Sequence, residues 1–133
     1  MMRLFLAIIP IFLVASPCTK CNLNKDQMKC EYYVAKMGDT SRQDSCKRYA
    51  EYLDETKVYG RASWYYLLGG EPKKAIEAGK KALAMGERYA GAYVAEGLII
   101  LGKRSEAKKY RQKSINMQKD IEILKRLYKD VKW

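Results

Sequence analysis

The chain has 133 residues, 26 basic and 15 acidic side chains, four cysteines and no histidine, for a net charge of +11. That length suits one domain with a modest core. The lack of histidine removes the commonest general acid–base group and argues against an enzyme.

Met1-Met2-Arg3 is a short basic start, residues 4–14 are uncharged and apolar, and Ala15-Ser16-Pro17 supplies small residues and a break. This is the pattern of a secretory signal peptide over residues 1–16. A membrane anchor competes, but eleven apolar residues fall short of the roughly 20 a spanning helix needs. Lipidation at Cys18 also competes, although Pro17 stands where a lipid-attachment site wants a small residue.

Export sets the reading of Cys18, Cys21, Cys30 and Cys46, which allow two disulfides in three connectivities. Cys18-Thr-Lys-Cys21 is a CxxC, yet Asn22 follows where haem attachment needs histidine, and no βαβ pattern accompanies it. Structural disulfides lead; a four-cysteine zinc site and thiol redox chemistry are the alternatives.

Gly38, Gly70 and Gly102 recur every 32 residues. Five residues after each stand Gln43, Ala75 and Ala107; Ala50, Ala82 and Ser114 follow, then Leu53, Met85 and Met117. Small residues recurring where helices approach, and large apolar ones where a core fills, mark a structural repeat. The predicted units span about residues 24–54, 57–86 and 88–117. Asn24 with Gln27 and Thr40 with Gln43 read as helix starts, Pro72 suits a first turn, and the glycines read as stops. If the first unit turns at Gly38, then Cys30 and Cys46, eight residues to either side, face each other, leaving Cys18 and Cys21 to pair locally.

Beyond the third unit, Met117, Ile121, Leu124, Tyr128 and Val131 form one apolar stripe. It predicts a helix over about 119–132 that covers the open end of the stack, with a two-stranded coiled coil, and hence a dimer, as the alternative. The expected fold is therefore all-α, an α-α solenoid of three helix-turn-helix repeats with a C-terminal capping helix.

The runs Gly70-Glu-Pro-Lys-Lys-Ala75 to Ala82-Leu83 and Gly102-Lys-Arg-Ser-Glu-Ala107 resemble the turn and second helix of tetratricopeptide-type repeats. Tyr59, Ala62, Ser63 and Tyr66 fit the first-helix pattern. The resemblance covers about residues 24–117, and Sel1-like repeats are near relatives. Departures are Glu87 where a proline is expected, and Lys47, Gly79 and Arg111 where the second helix usually carries an aromatic. The resemblance implies a concave face lined by first helices, with Tyr32, Trp64 and Glu96 at one exposed position and Lys57, Arg61 and Tyr89 beside them. Trp64 next to Lys57 and Arg61 would suit an extended peptide with acidic side chains or a free carboxylate.

Residues 103–133 carry eleven basic and four acidic side chains, a surface that is either simply solvated or suited to peripheral contact with phospholipid or glycan. Export disfavours nucleic acid. No cofactor is implied, and the oligomeric state is open. The expected function is an exported adaptor for a protein or peptide partner, with a basic envelope-surface adaptor as the alternative. Mass spectrometry of the exported protein is expected to find a chain beginning at residue 16 or 17; an intact Met1 or a diacylglycerol on Cys18 would rule this out.

Overall fold

The computed structural model describes residues 19–111 and 117–133. The expected signal peptide, Cys18 and its pairing with Cys21 lie outside the described residues. Seven α-helices and no strand occur among those described. They are α1 (Thr19–Lys29), which continues as a π-helical stretch (Cys30–Lys36), α2 (Gln43–Glu55), α3 (Tyr59–Leu68), α4 (Pro72–Ala84), α5 (Ala90–Ile100), α6 (Arg104–Ala107) and α7 (Met117–Leu127). Consecutive helices pack against one another from α1 to α6, the arrangement expected of three helix pairs.

The glycine period has a backbone cause. Gly70 and Gly102 sit at φ +76° and +79°, where an L side chain is disfavoured. Around each, paired reverse hydrogen bonds close the preceding helix: Glu71 N–H to the Tyr66 carbonyl at 2.9 Å, and Lys103 N–H to that of Leu98 at 2.8 Å. Lys57 occupies the same left-handed conformation after α2, at φ 63°.

The first unit departs from two expected starts. Helix α1 already runs through Asn24, so that residue is interior. The second start is capped by Asp39, whose carboxylate accepts from the Ser41 amide at 2.9 Å, ahead of a 3₁₀ turn at Thr40–Arg42. Cys30 and Cys46 form a disulfide with Cα atoms 4.8 Å apart, both fully buried. Being joined, they supply no thiolates for the four-cysteine zinc site. Arg48 grips Asp26 through two hydrogen bonds of 3.0 and 3.1 Å, a second tie between α1 and α2. Gln43, which replaces the repeat's alanine, donates to the Leu68 carbonyl at 3.0 Å and satisfies the end of α3.

Small residues let the later helices close up. A Cβ added at Gly79 would lie 2.5 Å from Val94 Cγ2 and 3.1 Å from Ser63 Oγ. Ser63 is itself fixed, donating to the Ala75 carbonyl at 2.6 Å with no exposure. Val94, β-branched in a helix, has little rotamer freedom to yield.

The C-terminal segment takes a different place from the one expected. Rather than closing the open end beside the third unit, α7 packs on the π-helical stretch and on α3, the first helices of units one and two. Leu124 is fully buried among Cys30, Val34 and Tyr65, with Ile123, Leu127 and Tyr128 against the same cluster. Val131 and Trp133 reach the second cluster, around Val94, Leu98 and Ile99. The segment thus lies along the face that the first helices share.

Gly79→Ala sets two effects against each other. Alanine gains about 1 kcal/mol in helix propensity, while overpacking costs about 1–3 kcal/mol. The 2.5 Å approach to Val94 makes overpacking the larger, so urea unfolding is expected to show a less stable variant.

Candidate functional site

The face of the first helices is the candidate site, and most of the predicted residues border it without forming one surface. Tyr32 is exposed, edge-on to Tyr33, with the Lys36 ammonium 5.6 Å from its ring centre. Trp64 is half-buried and stacks on Tyr93 of the next first helix, ring centres 5.5 Å apart. Tyr89 is exposed and meets Tyr93 edge-on at 6.1 Å. These three aromatics, one from α3 and two from around α5, form a connected patch across units two and three.

The predicted cations sit at the start of α3 and just before it. Lys57 is in the turn between α2 and α3. Arg61 sits over the Tyr49 ring and donates to its hydroxyl at 3.2 Å. That engagement holds the guanidinium against α2, while its charge also acts on the Tyr89 hydroxyl.

Glu96 corrects the sequence reading most sharply. Predicted to be exposed, its side chain is 1% accessible, and neither carboxylate oxygen has a hydrogen-bond partner among the described residues. The register is right: Glu96 occupies the first-helix position equivalent to Tyr32 and Trp64. What the repeat pattern does not contain is the C-terminal segment that closes over this face. Burial first, and then the charge of the Asp120 carboxylate of α7, raise the Glu96 pKa to about 8. The neighbouring Tyr93 hydroxyl is likewise pushed well up by burial, then by the charges of Asp120 and Glu96.

Polar contacts at the ends of the first helices, which the sequence did not single out, hold the segment down. Arg126 donates to the Lys36 and Ala35 carbonyls, each at 3.1 Å, and the Tyr128 hydroxyl to the Leu67 carbonyl at 2.6 Å. A guanidinium on the last carbonyls of a helix also complements its dipole. Arg104 holds the Trp133 carbonyl at 2.6 Å. Across the first pair of units, the Tyr65 hydroxyl donates to Glu31, and burial followed by that bond lifts its pKa to about 12.

Comparison with protein-family models, with curated proteins and with solved structures finds no match in any of the three. No helix among the described residues is long and apolar enough to cross a membrane.

The carboxyl of Glu96 makes a pH prediction. Its folded-state pKa of about 8 stands above the model value of 4.5, so the folded chain holds a proton that the unfolded chain releases. Stability is therefore full below pH 4.5, falls as pH rises from there to about 8, and levels above. The loss is about 4–5 kcal/mol by linkage, limited by the docking free energy of α7 if that helix lifts first. No histidine titrates in this window. Chemical denaturation across pH 5 to 8.5 is expected to show the slope in the parent chain and its loss in Glu96→Gln.

Proposed function

We propose that the chain is an exported, disulfide-stapled helical-repeat adaptor of the tetratricopeptide type, working in a bacterial envelope: it recruits a protein or peptide partner rather than transforming a substrate. The observation that carries the reading is the face of the first helices, where α7 packs on the π-helical stretch and α3, and the residues beyond it, Val131 and Trp133, reach the cluster around α5. Helix-in-groove recognition uses that geometry. The buried Cys30–Cys46 bridge agrees with folding in an oxidising compartment, and the leader-like residues 1–16 supply the route there.

A second reading has its own support. Arg104, Lys108, Lys109 and Arg111 are all exposed on and after α6, a basic surface suited to phospholipid or glycan. The two readings differ in what they contact and in salt sensitivity, since exposed charge attraction is screened by salt.

A photo-crosslinking side chain at Tyr89, which borders the face, tests them in an envelope fraction. A discrete protein adduct that persists at moderate salt is the expected result. Adducts with lipid or glycan alone, fading as salt rises, would establish the second reading and overturn the first.

A further inference from the structure

The second helix of each unit ends on the same side of the stack, so the α2–α3 turn, the α4–α5 turn and the residues after α6 share one end. At that end an open cavity of about 540 Å³ lies where unit three meets unit two, lined by Leu83, Arg88, Gly91, Lys109 and Tyr110. Its walls are the last turn of α4, the α4–α5 turn with the start of α5, and the 3₁₀ turn Lys108–Tyr110. The two cations thus come from opposite ends of unit three, not from one charged helix face. A third, the Lys80 ammonium, stands 5.9 Å from the centre of the Tyr110 ring.

No carboxylate answers them. None of the chain's 15 acidic side chains lines the cavity. No ion pair among the described residues engages Lys80, Arg88 or Lys109. Residues 112–116, which follow in the chain, include no acid. Lys108 and Arg111 line a neighbouring cavity with Arg104, again without a carboxylate. A cleft lined by one sign of charge concentrates the field and draws counter-ions into it.

The rim beside these cations is apolar. Met85, at the end of α4, is 60% exposed, and Val58, in the turn between units one and two, is 37% exposed. An exposed thioether adds nothing to the capture of a free anion. A lipid surface offers both partners, phosphates for the cations and hydrocarbon beneath them for an apolar tip. Tyr89 belongs to the first-helix face instead, its ring edge-on to Tyr93.

We propose that this end of the stack docks on an anionic phospholipid surface, the cavity between Arg88 and Lys109 taking a headgroup phosphate and Met85 entering the interface. This rests on the basic-surface reading and gives it one ligand and an orientation. The first-helix face is a side of the stack, so a docked chain keeps it free for a protein partner.

The test is sedimentation of the full chain with vesicles of phosphatidylglycerol and phosphatidylcholine in equal parts, and with phosphatidylcholine alone. Binding is expected to the anionic vesicles only. Arg88→Glu with Lys109→Glu is expected to weaken it on the order of 30-fold, since each cation at such a surface is worth about fivefold. Lys73→Glu with Lys103→Glu makes the same charge change at the other end of the stack and is expected to cost about threefold or less, being screened by salt over that distance. An equal loss in both pairs overturns the cavity assignment and leaves the basic-surface reading standing. Met85→Ser, at an exposed site, is expected to keep the parent's melting temperature and lose about fivefold in vesicle binding. Undiminished binding by Met85→Ser overturns the docking and leaves a site for soluble anions. If the parent ignores the vesicles but is retained on dextran sulfate, lipid docking falls and the basic-surface reading stands; retention on neither removes both.

Discussion

Helix α5 is buried on nearly every face, and enclosing it governs how the rest of the chain is arranged. Of Ala90–Ile100, only Tyr93 and Ile100 escape full burial. A helix apolar all round needs neighbours on all sides, and a two-helix repeat supplies them on only some. Helices α3 and α4 flank it on one side, α6 on another. The remaining side is the shared first-helix face, and the segment from α7 to Trp133 closes it. The small residues Ala90, Gly91, Ala92, Ala95 and Gly97 let these neighbours approach closely, and Gly97 would drive a Cβ to 2.8 Å from Ile76.

That enclosure explains why the cap covers a face instead of an end. In a longer array the concave side stays open because each first helix shows solvent a polar stripe, and terminal units need covering. Here the first helices contribute Val34, Tyr65, Val94 and Leu98 to the buried clusters. Leaving them bare would expose a contiguous apolar patch of the kind that marks an interaction site. Arg126 and Tyr128 fix the cover at the helix ends, and Leu124 seats it in the middle.

Much of this architecture was legible in local signals. The glycines predicted the turns because a helix that reverses direction within two residues needs a left-handed residue, and the disulfide followed from counting outward from Gly38. The first-unit starts were misread because Asn24 and Thr40 satisfy a sequence motif without being its structural instance; Asp39, one residue earlier, supplies the cap. Glu96 was misread for a different reason. Repeat register says which residues are equivalent, but exposure depends on what else touches them, and the cover comes from outside the repeat. Two signs were present: the only charge in residues 90–101 is Glu96, and Asp120 falls on the apolar stripe it interrupts.

Glu96 is where the packing and the pH dependence of the fold meet. A cover optimised only for stability would place an apolar or cationic side chain over Glu96, or the stack would carry an apolar residue there. The chain instead keeps there an ionisable group of raised pKa, buried with no hydrogen-bond partner among the described residues. The apolar contacts of Ile123, Leu124 and Leu127 dock α7 against the core cluster, while Glu96 keeps its proton until the pH nears 8 and costs the fold stability above it. A face covered in this way is protected from non-specific association. The pH dependence of the fold and the closeness of its packing thus meet at one desolvated carboxyl group.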